Sequence, residues 1–267
     1  MSNIPQTFRR NYHTHTKLCN HAKGELREYV EAAVERGLEV IGFSDHAPYA
    51  FEHKFDSWFR MRISEVEGYV TELLQLKEEF RDKIDIKIGY ELEYYPEFFK
   101  DTLEVIKRYP CDYLILGQHF YDNEYDGEYH ATSYPETPEK FSRIVNQMCE
   151  ALKTGNYSYV AHPDLCNFLG SEEDYVKTME PLLQTCLEMD IPVEINLLGI
   201  RGRRGYPKQY LWKRIGEIGC KVVFGSDAHS PEELLCTEDF EKACEMVEKY
   251  GLNYTDEIKL ISPHDVK

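Results

Sequence analysis

The stretch VIGFSDH at residues 40–46 opens on two β-branched residues and closes on an acid and a histidine. Its length and its β-branched and aromatic content favour a strand over a helix, spanning 40–45. Upstream, residues 25–36 carry a helical pattern followed by Gly37; downstream, 64–80 carry another. The same unit recurs in both directions. Further strands are expected at 10–14, 84–91, 111–119, 158–162, 193–196 and 221–226, with helical patterns at 97–108, 139–154, 175–189, 209–218 and 240–250. Thr137 and Pro138 open one of these helices, while Gly155 and Gly219 follow two others. Seven βα units in unbroken order imply parallel strands joined by helical crossovers. No Pro/Ser-rich linker or low-complexity segment divides the 267 residues, so one domain over 1–267 is expected. An α/β barrel short of eight units is favoured over an open doubly wound sheet. The latter would carry a glycine-rich phosphate loop after its first strand, and NYHTHT at 11–16 is not one.

The chemistry gathers where these strands end. The first closes on His13 and His15, two imidazoles that period-two alternation puts on one face, half of a tetrahedral metal site. Alone, the pair reads rather better as two surface histidines near a terminus. The other strands repeat the theme with Asp45 and His46, Glu91 and Glu93, His119, His162 and Asp164, Glu194 and Asn196, and Asp227 with His229. His21 lies in the loop after the first strand. Of the ten histidines, His13, His15, His21, His46, His119, His162 and His229 thus stand at or just beyond the carboxyl end of a strand. Crowded there with acids, they would be costly to bury without a cation, and the carboxyl end of a parallel barrel is where such folds hold their sites.

Composition narrows the partners. A net charge of −17 repels polyanions, so neither nucleic acid nor an anionic membrane is expected as a partner, whereas a small phosphate ester can be drawn in by local cations and metals. MSNIPQTFRR at the start has no signal-peptide character, and no window approaches the ~18 apolar residues of a membrane span. The eight cysteines are scattered without CxxC spacing, which excludes a zinc ribbon and suits reduced thiols in the cytoplasm. Cys19 and Cys166, near the strand-end motifs, are expected as free buried thiols.

These residues resemble the polymerase-and-histidinol-phosphatase (PHP) family, and within it the histidinol-phosphate phosphatases. The matching motifs are HTHT at 13–16, CNHAKG at 19–24, SDHAP at 44–48, GYELEYYP at 89–96, LGQHF at 116–120, AHPDLCNF at 161–168, EINLLGIRGRRGYP at 194–207 and GSDAH at 225–229. The resemblance implies a distorted (β/α)7 barrel holding three divalent metal ions, with zinc, iron or manganese all compatible with a mixed His and carboxylate set. It assigns His13, His15, Glu91 and Asp227 to the first metal. Glu91 bridges to a second completed by His119 and His162, and His21, His46 and His229 hold the third. Two departures, Glu93 where an aspartate is expected and Gln118 in place of a small residue, touch no ligand position.

The implied activity is hydrolysis of L-histidinol phosphate in histidine biosynthesis, with a metal-bridging hydroxide attacking phosphorus directly. Arg201, Arg203, Arg204 and Asn196 are the expected substrate contacts, with Arg201 also neutralising the phosphoryl oxygens. Asp45 either moves a proton at the reacting oxygens or orients a ligand histidine. Glu93, Tyr94, Tyr95, Glu97 and the aromatic segment 51–59 are candidates for reading the amine and imidazole. His53, His130 and His264 fall outside the motifs and are expected at the surface, His130 nearest to substrate. Two alternatives stay open: a phosphoesterase of the same family acting on a nucleotide or other small ester, and a protein in which metals serve only as structural staples.

Overall fold

In the computed structural model, described for residues 4–51, 55, 57–126 and 130–266, strands and helices alternate along the chain. The order is β1 (Arg10–Asn11), α1 (Leu26–Arg36), β2 (Val40–His46), α2 (Val66–Glu79), β3 (Asp85–Glu91), α3 (Pro96–Ile106), β4 (Tyr113–Ile115), α4 (Pro138–Lys153) and α5 (Glu172–Met189). Then come β5 (Val193–Asn196), α6 (Leu197–Gly202), α7 (Gln209–Ile218), β6 (Lys221–Gly225), α8 (Pro231–Leu234), α9 (Glu238–Tyr250) and β7 (Asn253–Tyr254). The helices begin and end where local chemistry dictates. Thr137 caps α4 ahead of Pro138, Ser171 caps α5, and Gly37 takes the left-handed turn that stops α1 at φ 81°.

Among the described residues every strand ladder is parallel, and one isolated antiparallel bridge joins Phe120 to His130. One sheet runs β1-β2-β3-β4 and the other β5-β6-β7. Single bridges link them. Val160 pairs with Leu116 on one side and Val193 on the other, and Thr14 pairs with Ala228. The sheet is therefore curled, and Tyr12, Val40, Tyr113, Ile115, Tyr159, Ala161 and Val223 meet on its inner side as an apolar plug. A larger cluster, with Phe43, Ile86, Leu114, Val193, Trp212 and Phe224 among its members, fills the layer between strands and helices.

Several expected elements are shorter than the sequence suggests. The 158–162 strand contracts to Val160, because His162 adopts a left-handed conformation (φ 26°) just before Pro163 and pairing stops. The 111–119 strand is regular only over β4, since at Leu116 the hydrogen bonds pass from β3 to Tyr159 and Ala161. β7 and the short helices α6 and α8 lie where the sequence showed no periodic signal.

What the curl achieves is a common height for the strand ends. His46 on β2 is in register with Glu91 on β3, and Asn196 on β5 with Gly225 on β6. Two glycines clear the space. A Cβ on Gly117 would overlap the Glu91 carboxylate, and one on Gly225 would overlap that of Glu194.

Candidate metal centre

Glu91 stands at the middle of the cluster and is fully buried. Its Oε2 lies 3.1 Å from His46 Nδ1, 3.4 Å from His15 Nε2 and 3.5 Å from His13 Nε2. Its Oε1 lies 2.7 Å from His162 Nε2 and 3.5 Å from His119 Nε2. Asp227 Oδ1 adds contacts at 3.1 Å to His15 Nε2 and 3.6 Å to His13 Nε2. Hence the side chains expected at the first two metals converge on two carboxylates. His13, His15 and Glu91 form one compact trio of potential ligand atoms, and Glu91, His119 and His162 another. The third set meets at ring level, with centroids 4.8 Å apart for His21 and His229 and 5.6 Å for His21 and His46. Cys19 also forms a ligand-sized trio with His15 and His229. Burial pushes its thiol pKa up in the absence of a metal.

The electrostatics call for cations. Burial opposes the charge on Glu91, yet the imidazoles of His119, His46, His13 and His162 hold its pKa well below the usual range; His13 and His15 do the same for Asp227. For His15, burial works against protonation but is outweighed by Asp227 and Asp45, which raise it to about 9. His46 and His229 go the other way, the latter to about 3, because burial favours their neutral form. The Nε2 atoms of His13 and His15 face each other at 3.2 Å, a separation at which two lone pairs need a proton or a metal between them. Buried Glu91 Oε2, Asp227 Oδ1, and Nδ1 of His15, His46 and His162 have no hydrogen-bond partner. A donor set of imidazoles and carboxylates with such orphaned atoms fits divalent metal ions.

Acids one layer back aim the histidines. Glu194 Oε1 is 2.8 Å from His13 Nδ1, while its Oε2 accepts from the His162 N–H (2.9 Å) and from Asn196 Nδ2 (2.9 Å). Glu93 Oε1 is 2.8 Å from His119 Nδ1. The Asp45 carboxylate accepts from the hydroxyl and N–H of Thr16 and lies 3.5 Å from His15 Nδ1. Two of the converging residues, His162 (φ 26°) and Asp227 (φ 48°), take left-handed backbone conformations, each costing on the order of 1–3 kcal/mol. The bonds from His162 N–H to Glu194 and from Asp227 N–H to the His13 carbonyl (2.9 Å) offset that strain.

The cluster opens into a cavity of about 410 Å3, walled also by Trp58, Phe59, His130, Thr132, Asn167, Leu198, Arg204 and Tyr206. Its lining corrects several expectations. Arg201 and Arg203 are not among the lining residues. The Arg201 guanidinium is held by Asp239 and by Glu233 (3.2 Å), so its charge is spent inside the protein; Arg203 forms the left-handed cap of α6. Of that arginine run, Arg204 faces the cavity. Asn196 caps α6 through Gly199 N–H and donates to Glu194 and Asp227 (3.0 Å), so it braces the cluster from behind. Asp45 is buried behind His15 and off the lining; its Oδ1 lies beside the His15 ring and also accepts from the His46 N–H (2.8 Å), so it braces both residues.

Glu93 is not free for an amine, because its Oε2 also pairs with buried Arg60 (3.0 Å). Glu97 is exposed on α3, and Tyr95 is buried against Tyr49. Within the aromatic segment, Trp58 and Phe59 reach the cavity whereas Phe51 and Phe55 pack on Tyr125; His53 lies outside the described residues. His264 is exposed as expected, but His130 is part of the cavity wall. Asp164 accepts from the Trp212 indole (3.0 Å) and Lys208 N–H (2.5 Å), a structural clamp. Sequence reading gave no role to Arg60 or Asp239. Each is a charge buried at a position without periodic pattern, and only its partner explains it.

The chain belongs to the PHP family, whose PHP domain matches residues 11–197, and is a metal-dependent phosphoesterase of that family. It is 29% identical over 231 residues to a probable histidinol-phosphatase of Deinococcus radiodurans, covering 83% of this chain and 86% of that one. With the histidinol-phosphatase of Bacillus subtilis it shares 25% identity over 252 residues, covering 83% and 93%. A crystal structure of histidinol phosphate phosphatase from Lactococcus lactis, complexed with zinc, L-histidinol and phosphate, superposes with a TM-score of 0.72 at 21% identity. That match covers 97% of this chain and 98% of the other, and establishes the common fold.

Proposed function

We propose that the chain is a histidinol-phosphatase, hydrolysing L-histidinol phosphate to L-histidinol and inorganic phosphate. The observation that carries this is one cavity in which a buried His and carboxylate cluster meets an arginine and aromatic side chains. The two relatives named above, each covering 83% of the chain, support this choice of ester. The metal sets are proposed as the resemblance gave them: His13, His15, Glu91 and Asp227; Glu91, His119 and His162; His21, His46 and His229. Bound divalent ions supply charge stabilisation of the phosphoryl group and activation of water. Arg204 binds the phosphate, Glu194 and Glu93 keep His13 and His119 aimed, and Asp45 steadies His15. Water adds to phosphorus, the P–O bond to the alcohol breaks, and the proton ends on the departing L-histidinol. We also read residues 1–267 as one PHP-type domain and the curled sheet as a distorted (β/α)7 barrel, with Val160 as its fifth strand, β5 and β6 as its sixth and seventh, and the two-residue β7 appended beside β6.

The test compares kcat/KM for L-histidinol phosphate with values for nucleoside monophosphates and a simple alkyl phosphate. A preference of at least about 100-fold for L-histidinol phosphate is expected, since two recognition groups each worth about tenfold separate it from the others. A preference for the nucleotides would reverse the assignment. Among the described residues no helix is long and apolar enough to cross a membrane.

A further inference from the structure

His130 has a fixed tautomer. Its Nδ1 faces the Thr132 N–H at 3.3 Å and the Thr132 hydroxyl at 2.8 Å. An amide N–H can only donate, so Nδ1 is the acceptor and the ring proton sits on Nε2. The segment is strapped in place on both sides. Ala131 N–H donates to the His119 carbonyl (2.7 Å), Asn167 N–H to the Ala131 carbonyl (3.1 Å), and Asn167 Nδ2 to the Thr132 carbonyl (2.5 Å). His130 also ends an aromatic arc, with centroid distances of 5.5 Å to Phe120, 5.4 Å from Phe120 to Phe59, and 5.2 Å from Phe59 to Trp58. Trp58 is 66% exposed at the cavity edge, which leaves its indole open to stack with a flat ligand. The carboxylates on the lining, Glu91 and Asp227, are already surrounded by imidazoles.

We propose that His130 is a specificity-determining residue, its Nε2–H donating to an acceptor atom on a flat, ring-bearing leaving group that lies along Trp58 and Phe59. This rests on the histidinol-phosphatase reading above and deepens it by assigning recognition of the leaving group's ring to His130.

The experiment uses the full metal-loaded chain, unaltered and as His130→Phe and His130→Gln, with benzyl phosphate and 4-pyridylmethyl phosphate, which differ by one ring nitrogen. His130→Phe should lose about tenfold in kcat/KM on the pyridyl ester, mainly through KM, and stay within about twofold on the benzyl ester. His130→Gln, whose amide still donates, should recover part of the loss, with metal content unchanged in both variants. Equal losses on both esters, no loss on either, a fall in metal content, or no turnover of either ester by the unaltered chain would each overturn the proposal. Failure of the histidinol-phosphate assignment looks different: no turnover of L-histidinol phosphate, with discrimination between the two test esters intact.

Discussion

Glu194 Oε1 lies 2.8 Å from His13 Nδ1, and the same carboxylate holds the His162 N–H through its other oxygen. One buried acid thus fixes the ring of one candidate ligand and the strained backbone of a second. Glu194→Gln keeps the shape but loses the charge that favours a metal-facing Nε2 on His13. Metal affinity should fall by about 10–100-fold in a chelator-competition titration, with the fold retained. Unchanged affinity would mean that His13 needs no such partner.

Glu93 ties His119 to the buried Arg60, which also pairs with Glu124 at 2.5 Å. Removing its charge by Glu93→Gln leaves the guanidinium undercompensated inside the protein. Loss of one partner from a buried pair costs about 3–5 kcal/mol, so the urea midpoint should drop sharply. A drop no larger than that of an exposed Glu→Gln change would refute this placement.

Arg201 and Arg204 should separate stability from activity. Arg204→Ala should lower kcat/KM for phosphate esters by about 100-fold with little change in Tm, because its side chain lines the cavity. Arg201→Ala should instead lower stability by a few kcal/mol, since it strips the cation from buried Asp239. The opposite pattern would return Arg201 to the phosphate.

The imidazoles make the chelated protein sensitive to alkali. His15 is raised from 6.5 to about 9, so its contribution to stability is complete below pH 6.5 and disappears as the pH rises through 9. Glu91 and Asp227 are lowered, so theirs is complete above the ordinary carboxylate range and disappears on acidification below it. Urea midpoints in EDTA should therefore be higher at pH 6.5 than at pH 9.5. Added metal, which replaces the His15 proton, should raise the pH 9.5 midpoint more than the pH 6.5 one. A chelated protein more stable at pH 9.5 would contradict the assignment.

Much of this was legible in the sequence because parallel strands announce themselves by short β-branched runs and their carboxyl ends follow from chain direction. The strand 40–45 and its histidine were readable from VIGFSDH alone, and the structure extends β2 by a single residue. Val160 was harder, since its pairing is set by neighbours on both sides and cut short by the turn at His162. The convergence of candidate ligands followed from alternation. Their supporting partners did not, because which carboxylate faces which ring depends on tertiary contacts. Glu93 and Glu194 look alike as strand-end acids, yet one faces His119 and the other His13. Arg201 misled for the same reason: a basic run beside a phosphate site invites a phosphate role, and only the fold shows Asp239 waiting for it.

The most direct measurement is metal content and phosphate release from L-histidinol phosphate on the same purified samples, before chelation, after chelation and after metal is restored, with circular dichroism as a check of fold. Three divalent ions per chain, loss of turnover on their removal with the helical signal retained, and recovery on their return are the expected results. Full turnover by metal-free protein, or none by the fully loaded chain, would contradict a metal-dependent phosphatase built on Glu91 and its ring of histidines.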